Sequence, residues 1–301
     1  MGIVVFCKIL KFIFVFSTHY DLSPSYIIIM KLKLPNWGSL CNPNLLMNSD
    51  YRSGIINQKG TTSLDKSDGS TELGIDGWIQ YGINIAVGTN YITFANRTSA
   101  NHTVQQPLDI KGLKAGDKVT FYASCFNITG NVYIYMTGLD AQKKKLVNGD
   151  NEFTFTLTSA LERFYIELAP NTVVSFNCMK LEPGEHFTGM PAWDRPVEVM
   201  KCRRCFINLN GSKDETIFIG VSDQNGVITF PISTYDMAKT PSVSLKNIWA
   251  VADDSIYQEV SVSSTSTRNT ILLLTKIPNK TVRLYYSSND NYFYIDAYNY
   301  G

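Results

Sequence analysis

The chain has 301 residues and a formal net charge of +1, with 44% hydrophobic and only 18% charged residues. So neutral a balance excludes a nucleic-acid module that works by neutralising phosphates, which needs a clustered excess of Lys and Arg. The length exceeds one ordinary domain and allows a sizeable core without staples, and 17 Tyr and 16 Phe amid abundant Thr, Ser, Asn, Val and Ile favour strands over helices.

Residues 1–41 read as an N-terminal extension. Met1 to Phe16 is apolar, but Lys8 and Lys11 interrupt it, no Ala-x-Ala cleavage pattern follows, and it is shorter than the roughly 20 residues of a membrane-spanning helix. No membrane insertion is expected. The preferred reading starts translation at Met30; the alternative is a secretion signal.

From residue 42 to about 182, short alternating runs are separated by Gly, Asn, Asp and Pro, the pattern of a β-sandwich. Lys118 to Phe126, Val132 to Thr137, Glu152 to Leu157, Arg163 to Leu168 and Val173 to Leu181 read as strands, with Gly112 to Asp117 as a turn. In the third, Phe153, Phe155 and Leu157 share one face and the threonines the other, so one side is buried. Lys143 to Lys145, the only basic run, reads as a solvated turn.

Pro183-Gly184, Gly189, Pro191 and Pro196 break this pattern, and Val197 to Phe206 is the one helical stretch. Strand character resumes at Ile217 to Val221, Val227 to Ile232, Val243 to Ala250, Val260 to Ser264, Thr270 to Leu274 and Thr281 to Tyr286. Asn225-Gly226 predicts a two-residue hairpin between the first two. The resulting division is 42–190, a linker over 191–206, and a small β-domain over 207–301.

Little in the chain suggests bond-breaking chemistry. His19, His102 and His186 are the only candidate bases for a nucleophilic triad and read as non-catalytic. Cys202 and Cys205 have CxxC spacing, but no second ligand pair follows, so they read as ordinary cysteines near a helix and no metal or other cofactor is expected. The carboxylates nearest recognisable motifs are Asp76, Glu167, Glu182 and Asp194; an ion pair to Arg195 and turn formation account for the last two. The chain reads as non-enzymatic.

Three ordered segments carry a resemblance. Asn44-Leu45-Leu46-Met47-Asn48-Ser49-Asp50-Tyr51-Arg52 with Ile56-Asn57-Gln58-Lys59-Gly60 comes first, then Ile75-Asp76-Gly77-Trp78. Met179-Lys180-Leu181-Glu182-Pro183-Gly184 follows, leading to Trp193-Asp194-Arg195-Pro196, Glu198 and Lys201-Cys202-Arg203-Arg204-Cys205-Phe206. Together they resemble the carboxy-terminal regions of bacteriophage and prophage tail-fibre or tail-appendage proteins, with Gly77 where that family carries Arg and Cys205 where it carries an aromatic residue. A weaker match lies in Val227 to Pro231 and Met237 to Val243.

The resemblance implies an all-β fold: a galactose-binding-like, carbohydrate-binding-like jelly-roll β-sandwich, a short linker helix and a second small β-sandwich domain. It also implies a virion protein of the tail, contacting other tail proteins and trimeric through neighbouring regions. The expected partner is a bacterial cell-surface carbohydrate. Aromatic rings on a rigid sandwich suit pyranose stacking, and Trp78, Tyr81, Tyr122, Tyr133, Tyr292 and Tyr294 are the candidate ligand-binding residues. Tyr91, Tyr135, Tyr285, Tyr286, Tyr298 and Tyr300 form the wider pool, and Trp78 has a competing core role. The alternatives are a secreted bacterial lectin or carbohydrate-binding module, and a purely structural tail protein without its own ligand.

Overall fold

In chain order the first lobe contains β1 (Ser63–Leu64), β2 (Thr71–Leu73), β3 (Ile79–Tyr81), β4 (Asn84–Val87), β5 (Ile92–Asn96), β6 (His102–Pro107), β7 (Lys118–Phe126), β8 (Val132–Met136), β9 (Lys144–Lys145), β10 (Gly149–Thr156), β11 (Arg163–Leu168) and β12 (Thr172–Pro183). This computed structural model describes residues 41–60, 62–108, 112–139, 143–232, 237–238, 240–252 and 257–297. The Met1 to Phe16 segment, Met30, His19, Tyr298 and Tyr300 lie outside the described residues.

The strands form two antiparallel six-stranded sheets, ordered β1-β4-β5-β12-β7-β10 and β2-β3-β6-β11-β8-β9. From β5 to β8 and again from β9 to β12 the chain crosses between sheets at every step, which is the winding of a jelly roll. Alternation decides what each strand buries. Val119, Phe121, Ala123 and Cys125 of β7 meet Phe164, Ile166 and Leu168 of β11 in one core, joined by Phe155, Leu157, Phe94 and Trp78.

A β-bulge interrupts β12 between Phe176 and Cys178 and reverses its parity. Val174 and Phe176 point into the core before it, and Met179 and Leu181 after it. Cys178, Lys180 and Glu182 consequently fall on the outer face. There Lys180 and Glu182 have 0% side-chain exposure, because Phe187, Thr188 and Gly189 of the following segment lie against them. Lys180 Nζ donates to Glu182 Oε2 (2.9 Å), Thr188 Oγ1 (3.1 Å) and the Gly189 carbonyl (2.6 Å). Glu182 also accepts from the Thr188 amide (2.8 Å) and hydroxyl (2.5 Å). The ion pair expected between Glu182 and Arg195 is therefore corrected to Lys180, two residues away on the same strand face.

Helix α1 (Arg195–Arg203) follows, with Asp194 as its N-cap accepting from the Val197 amide and Pro196 in its first turn. Its start lies two residues before the periodicity suggests, because the cap and proline define it. The second lobe then contains β13 (Phe206–Asn208), β14 (Thr216–Val221), β15 (Val227–Pro231), β16 (Ser242–Lys246), β17 (Ile248–Ala252), β18 (Tyr257–Glu259), β19 (Ser261–Ser266), β20 (Thr270–Leu274), β21 (Thr281–Tyr286) and β22 (Tyr292–Asp296). Its sheets are β13-β22-β16, β14-β21-β17-β18 and β15-β20-β19. They enclose a second core that includes Ile228, Phe230, Ile248, Leu273, Leu284, Phe293 and Ile295.

Two local expectations change here. Asn225-Gly226 makes a turn, with the Asp223 carboxylate accepting from the Asn225 and Val227 amides at 2.8 Å. The predicted hairpin does not form, however: β14 pairs with β21 and β15 with β20. Val243 to Ala250 is two strands, because Asn247 adopts φ 55° and sends β16 to β22 and β17 to β21.

The motifs of the sequence resemblance converge in space. Asn48, itself at φ 50°, donates from its side chain to the carbonyls of Ile56 (2.7 Å) and Asp76 (2.8 Å) and accepts from the Ile56 amide (2.8 Å). Its carbonyl accepts from Trp78 Nε1 (3.1 Å), and its amide donates to Glu198 of α1 (2.9 Å). Gln58 donates to Asp76 (2.6 Å) and to the Phe206 carbonyl (2.8 Å), and its own carbonyl accepts from Asn208 (2.7 Å). Gly77 sits at φ +92°, where a Cβ would lie 2.8 Å from Met47 Cγ. A small apolar cluster of Met47, Leu73, Ile79, Cys205 and Phe206 completes this junction, and residues 42–301 form one compact unit.

Candidate functional site

The six candidate aromatics separate into four environments. Trp78 has 0% exposure and packs its indole against Phe94 and Phe164, with ring centroids at 6.4 and 6.3 Å. Its assignment as a ligand contact is withdrawn: no face of the ring reaches the surface, and its one polar atom serves Asn48.

Tyr122 projects from the outer face of the β7 sheet, but Phe187 of the covering segment stacks on it at 3.8 Å and 5°. Its hydroxyl donates to Asp150 (2.9 Å); burial first, then that bond, push it up to about 12. Tyr292 and Tyr294 stack on each other at 4.9 Å on β22. Tyr294 also packs on the junction cluster, with Lys59 Nζ 5.3 Å from its ring centre.

Tyr81 and Tyr133 lie in the fourth environment, the outer face of the β2-β3-β6-β11-β8-β9 sheet. Because Val104, Ile134 and Ile166 point inward, their strand neighbours point outward, and the ladder lines them up. One row across the sheet reads Tyr81, Thr103, Glu167, Tyr133, Lys145. The next reads Leu73, Ile79, Gln105, Tyr165, Tyr135. The Leu73 and Ile79 end is covered by the junction cluster, and the other end carries the tyrosines.

Tyr135 and Tyr165, directly opposite each other, stack at 4.6 Å and 5°. Parallel rings at about one strand spacing stand upright from the sheet, so their hydroxyl edges face out. Lys143 Nζ lies 5.0 Å from the Tyr135 centre and donates to both Glu167 oxygens at 2.8 and 2.6 Å. The Lys143 to Lys145 run is thus no free turn: Lys144–Lys145 is strand β9, and Lys143 is tied to this face. Burial, Glu167 and the neighbouring Tyr165, in that order, push the Tyr135 hydroxyl up to about 12, so it stays a donor at neutral pH. Tyr81 is 47% exposed and meets His102 edge-on at 5.4 Å.

Tyr165 was absent from the sequence-predicted set. Its signal was present in Arg163-Phe164-Tyr165-Ile166-Glu167, where burying Phe164 and Ile166 turns Tyr165 and Glu167 outward together.

The four motif carboxylates are all structurally engaged. Asp76 binds Gln58, Glu182 binds Lys180, Asp194 caps α1 and Glu167 binds Lys143. Cys202 and Cys205 are buried, and among the described residues no group of three or more His, Cys, Asp or Glu side chains is placed to hold a metal ion. No helix among the described residues is long and apolar enough to cross a membrane.

No family model matches the chain, and no curated protein matches it. Among solved structures, it is similar to one described as "CBM4 structure and function", over 46% of this chain and 99% of that one, at 16% identity and a TM-score of 0.28. It is similar to the N-terminal cellulose-binding domain of Cellulomonas fimi β-1,4-glucanase C over 37% and 91%, at 14% identity and a TM-score of 0.26. Similarity to the N-terminal CBM22-1–CBM22-2 tandem domain of Paenibacillus barcinonensis Xyn10C spans 86% and 98%, at 10% identity and a TM-score of 0.30.

Proposed function

We propose that this protein is a non-catalytic glycan-binding adhesion module of a bacteriophage or prophage tail, and that the tyrosine face of its jelly roll contacts a bacterial surface carbohydrate. The observation that carries the binding role is the grouping of Tyr81, Tyr133, Tyr135 and Tyr165 with Thr103, Gln105 and Glu167 on one rigid sheet face. Apolar ring surface beside fixed polar groups is the combination that holds a sugar.

The tail assignment draws support from the resemblance motifs, whose Asn48, Gln58, Asp76, Trp78 and Glu198 interlock at one place. Residues scattered over 150 positions that complete one network are more specific than any segment alone.

The test is binding of the full chain to immobilised bacterial surface glycans, with Tyr135→Ala/Tyr165→Ala as the site variant. Loss of about 1–3 kcal/mol of affinity is expected, given about 0.5–1.5 kcal/mol per aromatic contact; Tyr122→Phe should bind as the parent does. Absence of binding to any glycan, with the chain present in purified virions, would instead indicate a purely structural tail protein.

A further inference from the structure

The other sheet of the jelly roll carries a depression on its own outer face. Ile85, Ile92, Phe94 and Val174 point into the core, which turns their strand neighbours outward. The register sets these in two rows, Ser63, Ala86, Thr93, Ser175 and then Asn84, Ala95, Val173. No aromatic or long side chain stands among them, so the face dips into a cavity of about 210 Å³.

Two charged residues line this cavity, Asp65 just after β1 and Arg97 just after β5. The Asp65 carboxylate accepts from the Ser67 amide at 3.0 Å. That bond and the Ser67 hydroxyl, then Asn84 and Arg97, hold the carboxyl below its ordinary range, so it is an acceptor at neutral pH. Arg97 starts from a fixed point, because the neighbouring Asn96 side chain accepts from the Thr98 amide and hydroxyl (2.9 Å each) and donates to the Ala100 (2.7 Å) and Leu168 (2.9 Å) carbonyls. The guanidinium itself makes no hydrogen bond or ion pair with a described residue.

A carboxylate and a guanidinium on one small cavity oppose each other toward an ion, but together they complement a hydroxyl group, which donates and accepts at once. The apolar floor of Ala86, Ala95 and Val173 suits a C–H face. The volume is below the roughly 300–1,000 Å³ of drug-sized sites, which limits the occupant to about one ring.

We infer that this cavity is a second carbohydrate site, taking a single neutral pyranose whose hydroxyls donate to Asp65 and accept from Arg97 while the ring lies on the Ala86, Ala95 and Val173 floor. It is separate from the tyrosine face, which lies on the opposite sheet. One sandwich thereby holds two glycans on opposite sides, and linked engagement of both raises its avidity for a glycan-coated surface.

The experiment titrates the isotope-labelled full chain with glucose, galactose, mannose and N-acetylglucosamine, up to about 100 mM each, and follows backbone amide shifts by NMR, which reads the millimolar affinities expected of so small a ligand. At least one sugar should give saturable shifts at Ser63, Ala86, Ala95 and Arg97. Arg97→Ala and Asp65→Asn, the latter keeping an acceptor for the Ser67 amide, should each weaken binding about tenfold, as expected for loss of a hydrogen bond to a charged group. Ala86→Phe places a ring in the cavity from an exposed strand position and should abolish the shifts. Tyr135→Ala/Tyr165→Ala should leave them unchanged.

No saturable shift at these residues with any of the four sugars overturns the inference, as does binding that survives Ala86→Phe or both charge substitutions. Equal shifts with glycine or inorganic phosphate also overturn it, by marking a site for charge and not for hydroxyls. Each of these results leaves the tyrosine-face reading standing, because that reading is decided by Tyr135→Ala/Tyr165→Ala on surface glycans.

Discussion

Replacing Glu182 by Gln tests the contact that closes the covering segment onto the jelly roll. Both partners of the Lys180–Glu182 pair are wholly inaccessible, so the neutral amide leaves a buried ammonium without its counter-charge. Removing one partner of a buried pair costs about 3–5 kcal/mol. Lys180 Nζ retains the Thr188 hydroxyl and the Gly189 carbonyl as acceptors, which places the expected cost at the lower end, about 3 kcal/mol.

In urea unfolding followed by tryptophan fluorescence, with a slope of about 3 kcal/mol/M for a unit of this size, that loss moves the midpoint down by about 1 M. Lys180→Met should cost a similar amount, since it strands the carboxylate on the Thr188 amide and hydroxyl alone. The double variant Lys180→Met/Glu182→Gln should cost less than the two singles together, by about 1–3 kcal/mol of coupling. A midpoint for Glu182→Gln within about 0.2 M of the parent, or strictly additive singles, would show that this pair carries no net charge compensation and refute the reasoning.

Three further outcomes follow from the fold. Trp78→Phe loses the Nε1 bond to the Asn48 carbonyl and part of the core volume, so unfolding should be easier by about 2–3 kcal/mol while the folded protein keeps its glycan affinity; weakened binding at equal folding would return Trp78 to the ligand site. Burial raises the Asp76 carboxyl above its ordinary range, so the native state holds its proton more tightly than the unfolded chain. The cost of its charge is then full above the raised native value and fades as pH falls toward the ordinary carboxylate range, so the parent should gain stability relative to Asp76→Ala between about pH 7 and 4; a gap that widens in the opposite sense counts against it. At Asn247, Gly and Val both forfeit the side-chain bond to the Asp290 carbonyl, but Val should cost about 1–2 kcal/mol more in thermal unfolding, because only Gly accepts φ 55° freely.

Much of the fold is legible as alternation. Lys118–Phe126, Arg163–Leu168, Thr270–Leu274 and Thr281–Tyr286 have the bounds that the period-two runs predict. Partner choice is another matter, since a turn such as Asn225-Gly226 fixes only the local chain reversal, and the flanking strands follow whichever sheet buries their apolar faces. Parity is equally hidden at the β12 bulge: an unbroken reading of Val173 to Leu181 gives no reason for Lys180 and Glu182 to share a covered outer face. At the candidate site, Tyr81 and Tyr133 were visible and Tyr165 was recoverable from its own strand. The engagement of Glu167 by Lys143, the residue just before β9, is a contact across neighbouring strands that no local pattern announces.

The lock formed by Asn48, Gln58 and Asp76 with Glu198, Phe206 and Asn208 sets an order of events on the ribosome. Residues near the start of the sandwich wait for partners made 148 to 150 positions later, so the first lobe emerges unfinished and is sealed only when the helix and the strand after it leave the exit tunnel. For the same reason, a gene exchange that joined this sandwich to a foreign partner at Pro196 would hand over a body with its keystone missing. The transferable piece runs through Asn208, and shuffling at that point keeps the seal intact.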